Sequence, residues 1–311
     1  MSRETKTLPA PSLGRGGSIP LAFWFLLPVL IMVAFFFLLP AIITVLLSLT
    51  DMNYTFNWNF IGLENFKEIF WNDPIARMTL INTVIYVFFT LLFFNFGLGL
   101  LLAITTTHME EKAGRFFRLI WMLPRLTPSV VYALLWLWIL DPTEAGILNS
   151  ILKHFGLPTY NWINMFPKTI IIIANGFIGA SFGMVIFTAS ILSLPRDMII
   201  AAKVDGASEL KVITRIIFPN IKWHLLFVSA YQMLSLLTSY EYILLITDGG
   251  PFYKSEVWAL YTYHTAFGDW EFGYAAALSV ILSIAGFVAA LLYLKTVNIK
   301  ALLKKPKIEG I

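Results

Sequence analysis

Leu194-Pro-Arg-Asp-Met-Ile-Ile-Ala-Ala-Lys-Val-Asp-Gly-Ala-Ser-Glu-Leu-Lys-Val-Ile-Thr-Arg-Ile-Ile-Phe-Pro219 lies between two long apolar stretches and is itself mixed in character. Its apolar residues fall on helical spacing: Ile199 and Ala202, then Leu210, Ile213 and Ile217. Asp205-Gly206 between them is a turn dipeptide, and Ser208 stands where it would cap a following helix. The segment therefore predicts two short helices joined by a tight turn, bounded by Pro195 and Pro219. Small residues at its tip, Ala201, Ala202 and Gly206, would let another protein approach closely. The same pattern also suits an amphipathic segment resting on lipid headgroups.

Outward from this segment the chain is built of apolar runs. A bilayer-spanning helix needs roughly 20 mostly apolar residues. Six stretches meet that length: Leu21–Leu49, Thr79–Thr106, Leu119–Leu140, Lys168–Leu194, His224–Thr247 and Tyr274–Leu294. The predicted fold class is an all-α integral membrane protein of six transmembrane helices, with the helix-turn-helix between the fourth and fifth. Composition agrees. Of 311 residues 58% are hydrophobic and 13% charged, against roughly 25% charged in soluble domains. Too few charges remain to cover a water-facing surface. Pro28 and Pro40 predict kinks in the first span. The absence of Cys excludes disulfides, thiol nucleophiles and thiolate metal sites, and the 4 His form no zinc pattern.

Lysine and arginine set the orientation. Sixteen of the 22 fall in the N-terminal tail, the connections after spans two and four, and the C-terminal tail; five fall in the alternate connections. Both termini should be cytoplasmic, as should the segment from Pro195 to Pro219. Residues 1–19 read as a cytoplasmic tail, 20–296 as the membrane domain with its loop at 195–219, and 297–311 as a second cytoplasmic tail. The apolar run beginning at Ile19 is about twice the length of a signal-peptide core, so it reads as a retained helix. The basic C-terminal tail, Lys295 to Lys307, reads as a topology signal near anionic headgroups, not a nucleic-acid site.

Polar groups inside spans are costly and tend to face a cavity or a neighbouring helix. In the fifth span Ser229, Gln232, Ser235 and Ser239 recur every three or four residues, with Leu236 alongside and Tyr240 and Glu241 at its end. In the fourth, Asn175, Gly179 and Phe182 share a face. A neutral sugar needs amides, hydroxyls and an aromatic platform. Asn175, Gln232 and Ser235 supply the first two; Phe182, Tyr132, Trp136 and Tyr240 supply rings. Close helix–helix packing would use the same residue types, and Ser229 and Ser239 fit that role better. Glu241 would be the proton site of an ion-coupled carrier; otherwise it is a hydrated interfacial residue.

Ala201-Ala-Lys-Val-Asp-Gly-Ala207, with Pro219 and Asn220 at their fixed distance, resembles the "EAA loop" of binding-protein-dependent ABC importer permeases. The chain is most similar to the carbohydrate permeases of the maltose and glycerol-phosphate type. Gly62-Leu-Glu-Asn-Phe66, Asn82-Thr-Val84, Thr247-Asp-Gly-Gly-Pro251 and Phe272-Gly-Tyr-Ala-Ala-Ala-Leu-Ser279 agree with it. There is one departure: Ile200 stands where the family usually has Glu.

The resemblance implies a non-catalytic permease subunit of a prokaryotic inner membrane. A second permease chain completes the path, two ATPase subunits drive it, and an extracytoplasmic binding protein delivers a sugar. Ile200, Ala201, Ala202, Asp205, Gly206 and Ala207 would couple to the ATPase. Asn175, Gly179, Phe182, Gln232, Ser235 and Leu236 fall at positions similar to those lining the maltose permease's sugar site. No cofactor is expected on this chain. It has no G-x-x-x-x-G-K-[ST] phosphate loop, so ATP and Mg²⁺ would be held by the partners. An ion-coupled secondary sugar carrier is the alternative. It predicts paired mid-span charges and internal repeats, and neither is seen.

Overall fold

A computed structural model describes residues 21–296. The two expected tails, 1–19 and 297–311, lie outside the described residues. Among the described residues, those up to Thr44 and those from Val45 onward separate into two units. The helices that frame the site are α1, Phe23–Leu47; α2, Pro74–His108; α3, Glu111–Leu126; α4, Ser129–Ile139; and α5, Pro167–Leu192. They continue with α6, Arg196–Val204; α7, Phe218–Leu237; α8, Glu241–Ile246; α9, Trp258–Phe267; and α10, Phe272–Lys295. Among the described residues the extended pairing is a single bridge, Thr50 to Phe60.

By length and apolar character four of these helices are able to cross a membrane: α1, α2, α5 and α10. The third expected stretch, Leu119–Leu140, is not one helix. It is α3 and α4, bent by 98°. Thr127 at the break is extended, as a residue before proline prefers, and Pro128 cannot continue the α3 hydrogen-bond ladder.

The fifth stretch, His224–Thr247, also divides. α7 ends at Leu237, and α8 starts after Thr238-Ser239-Tyr240. Here hydroxyls compete for backbone and cross-helix bonds. Thr238 Oγ1 turns back to the Leu234 and Ser235 carbonyls, while Ser239 is drawn to a neighbouring helix. α2 begins earlier than expected because Asp73 caps it. The Asp73 carboxylate accepts from the Ile75 and Ala76 amides at 2.7 and 3.0 Å, and Pro74 takes the first helical position. Further helices were not expected, among them Ile147–His154 and α9.

α5 is the most buried of the spans. Gly176, Gly179 and Gly183 let α2 press against it. A side chain at Gly176 would strike Phe94, one at Gly179 would strike the Asn95 side chain, and one at Gly183 would strike the Asn95 carbonyl. Close approach through small residues is how membrane helices gain packing energy where no hydrophobic effect separates them. α2 widens into π-type turns over Thr90–Leu98 beside this contact.

Pro219 does not end the segment opened above. Glu209–Val212 runs through a π-type turn at Ile213–Ile217 into α7 without a break. The wider turn just before Pro219 accommodates the ring and the missing amide.

Candidate functional site

The loop between α5 and α7 forms a knob. α6 closes with a Schellman motif: the Ala207 amide donates to the Ala202 carbonyl at 2.9 Å and the Gly206 amide to the Lys203 carbonyl at 3.0 Å. Gly206 has φ of +80°, which a residue with a Cβ adopts only at a cost. Lys203 Nζ lies 2.6 Å from Glu209, which also faces His108 at 3.5 Å, so Glu209 braces the knob to α2. Ser208 has the extended backbone of a cap, but its hydroxyl makes no capping bond. The expected hydroxyl cap is therefore absent, and the turn is held by backbone bonds and the ion pair.

One face of the knob is packed and the other is bare. Ile199, Ala202, Ala207 and Ile213 lie against a core of Leu100, Ala103, Phe187, Ile191, Val212 and Ile217, at the ends of α2 and α5. On the free face Ile200, Val204 and Leu210 are 57%, 81% and 70% exposed. Ala201, Asp205 and Gly206 are exposed as well.

The seven residues expected to meet a substrate separate into two groups. Asn175, Gly179, Gln232 and Leu236 are buried between helices. Asn175 Nδ2 donates to the Tyr86 hydroxyl and, at 2.9 Å, to Ser239 Oγ, tying α5 to α2 and to the end of α7. Gln232 Nε2 donates to the Gly179 carbonyl at 3.0 Å, a second α7–α5 tie. Leu236 packs with Tyr86, Ile171 and Ile243. Phe182, Ser235 and Tyr240 keep accessible surface. Phe182 stacks on Tyr231 with centroids 5.0 Å apart, and Tyr240 stacks on Tyr263 at 5.1 Å. Of the other rings, Tyr132 donates to the Ala174 carbonyl and is buried, while Trp136 and Trp121 gather around Phe177. Ser229 bonds back to its own helix, and Glu241 accepts from Ser129 at the α3–α4 bend.

Sequence reasoning missed three residues here. Tyr86 completes the Asn175 knot. The Asn95 side-chain amide is fully buried against Gly179 and finds no hydrogen-bond partner. Arg125, one residue before the end of α3, holds its guanidinium 5.1 Å from the Phe182 ring centroid. Its signal was a lone cation inside an apolar stretch, belonging to neither set of connecting segments.

At the end of the molecule remote from the knob, the segments that carry the family resemblance are fasteners. Asn65 Nδ2 donates to the Ser48 and Thr50 carbonyls. Asn82 Nδ2 donates to the Tyr253 and Glu256 carbonyls, holding the loop after α8. From α9, His264 reaches back to that loop and places Nδ1 2.9 Å from Glu256 and Nε2 3.1 Å from Asp248. Burial pushes the Glu256 carboxyl up, and the bond to Glu256 holds the His264 imidazole above its ordinary value. Among the described residues no three His, Asp or Glu side chains converge as a metal site would require.

The chain matches the family model described as binding-protein-dependent transport system inner membrane component over residues 95–295. It is 31% identical over 288 residues to a probable ABC transporter permease protein of Pyrococcus horikoshii, covering 90% of this chain and 96% of that protein. It is 28% identical over 253 residues to the diacetylchitobiose uptake system permease protein NgcF of Streptomyces coelicolor, covering 76% and 71% of the two chains. Its fold is similar to that of a chain in a bacterial ABC transporter involved in the import of the acidic polysaccharide alginate. The TM-score is 0.79 at 24% identity, with 92% and 96% of the two chains covered.

Proposed function

The chain belongs to the binding-protein-dependent transport system inner membrane components, and on that premise we propose that it forms half of the translocation path of an ATP-driven sugar importer in a prokaryotic inner membrane. The saccharide specificity of its relatives supports a sugar as cargo. In this reading the chain crosses the membrane six times: α1, α2, the bent α3–α4 pair, α5, α7 and α10. Both termini and the knob are cytoplasmic. A second permease completes the path, two ATPase subunits bind ATP and Mg²⁺, and a binding protein delivers the sugar from outside. This chain holds no cofactor of its own.

The single observation that carries the reading is the continuity of the knob with α7. Its second helix runs without a break from Glu209 to Leu237. A partner that pulls on the bare face of Ile200, Val204 and Leu210 therefore moves α7 as a lever. The same helix carries Gln232, and Ser239 follows its end, so the lever acts on both α7–α5 ties. Movement of the partner subunits is thereby transmitted to the expected substrate residues by rigid backbone and not by a chain of surface contacts. Ile200 supplies apolar area to that contact where a Glu would supply charge.

The test is reconstitution in vesicles. ATP-dependent uptake of radiolabelled sugar is expected when this chain, a second permease, the ATPase and the binding protein are all present, and none with any one left out. Uptake by this chain alone under a proton or sodium gradient, without ATP, would establish the ion-coupled alternative. In the complete system Asn175→Ala and Gln232→Ala are expected to change apparent sugar affinity. Unaltered kinetics in both would leave them as packing residues.

A further inference from the structure

Arg125 is placed where a cation is expensive. It lies fourteen residues into α3, while Phe182 lies ten residues before the knob end of α5 and Tyr231 thirteen residues into α7. At about 1.5 Å per residue, all three sit roughly 15–20 Å from that end, near mid-membrane depth. An arginine at that depth that met lipid tails would cost several kcal/mol, so such residues face water, a ligand or a partner charge. Arg125 is exposed in this chain, and among the described residues no carboxylate forms an ion pair with it. Glu241, the acidic group at the same bend, is engaged by Ser129.

What surrounds Arg125 is an aromatic platform. Its guanidinium lies over Phe182, Phe182 stacks on Tyr231, and Tyr231 stacks on Phe227 with centroids 6.3 Å apart. A guanidinium laid over a ring still presents, in its own plane, a fork of donors matched to a carboxylate. The ring contact orients the cation without neutralising it, so its charge is left for a ligand.

We propose that Arg125 makes this path selective for an acidic saccharide, whose carboxylate it pairs with while the Phe182 ring, itself backed by Tyr231, holds the guanidinium in place. The proposal rests on the reading of the chain as a sugar-importer permease and adds the charge of the substrate to it.

The test uses the complete importer in vesicles with digalacturonate and, separately, lactose as radiolabelled probes. ATP-driven uptake is expected for the uronate in preference to the neutral disaccharide. Arg125→Met is expected to lower uronate uptake at least about tenfold, the scale of one charge-assisted pair, and Arg125→Lys, which keeps the charge but loses the fork, to fall between Met and the parent. Assembly of the two permeases, followed by co-purification, is expected to be unchanged in both variants. Preferred uptake of lactose, unaffected by Arg125→Met, would overturn the proposal and leave the importer reading standing. Loss of co-purification in Arg125→Met would also overturn it, by assigning the charge to a carboxylate of the partner permease. Uptake of neither sugar, with ATP hydrolysis intact, would count against the sugar-importer reading itself.

Discussion

Two helix–loop junctions of this molecule are finished in opposite ways. At the corner between α4 and α5, Asn149 is wholly buried and uses its full bonding capacity. Nδ2 donates to the Asp141 and Tyr160 carbonyls, and Oδ1 accepts from the Tyr160 amide and the Trp162 indole, all within 2.9–3.0 Å. At the knob, the Schellman turn satisfies its backbone but leaves Ile200, Val204 and Leu210 uncovered. The first junction is complete within this chain. The second is complete in its hydrogen bonds and incomplete in its burial, as the proposed docking of a partner there requires.

The sharpest way to break the comparison is to damage the finished junction. Asn149→Ala removes four bonds and strands buried donors and acceptors, so a loss of about 3 kcal/mol is expected. It would be read as a lowered midpoint in thermal unfolding of the purified protein. A variant as stable as the parent would mean the corner is not held by Asn149. At the knob the expected result is reversed. Gly206→Val forces a β-branched residue to positive φ, a local cost of about 1–2 kcal/mol. The surrounding space is open, so membrane insertion and thermal midpoint should change little. ATP-driven uptake should fall about tenfold or more, as a misplaced turn weakens docking by a comparable energy. Equal loss of stability at both junctions would erase the distinction between them.

A third expectation concerns the loop after α8. The His264 imidazole is held above its ordinary 6.5 by the bond to Glu256 and by the Asp248 carboxylate. Its protonated form therefore stabilises the fold. That contribution is complete below about pH 6.5 and is lost as pH rises through the raised value. The thermal midpoint is expected to decline on this upward course, and His264→Gln to flatten the decline. An unchanged pH profile in the variant would dissociate the ring from the loop's stability. The smallest effect is expected at Ser208. Its hydroxyl makes no capping bond, so Ser208→Ala should alter stability by less than about 0.5 kcal/mol and leave uptake intact.

Much of this architecture was legible in the sequence. The apolar runs were found because a bilayer demands length and hydrophobicity, which are local properties. The knob was found because Asp205-Gly206 interrupts a helical pattern, and the resemblance to the importer permeases it prompted is borne out by the family match over residues 95–295. The breaks within the third and fifth runs were harder. A kink or a stop at Pro128 and at Thr238-Ser239-Tyr240 differs from a tolerated proline or serine only through what the neighbouring helices offer. Pro219 makes the same point in reverse, since a wider turn upstream let the helix continue through it.

By itself, the sequence determined that the chain belongs in a bilayer, which stretches of it are apolar enough to lie there, and that one mixed segment between them turns back on itself. Tertiary structure alone decided what each polar side chain in those helices does. Asn175 and Gln232 have the chemistry of sugar ligands, yet in this conformation they bond Tyr86, Ser239 and the Gly179 carbonyl. Arg125 read as an isolated charge until the α3–α4 bend set it over Phe182. The physical reason is that burial follows from local composition, whereas a hydrogen bond or a ring contact depends on which distant segment arrives within a few ångströms.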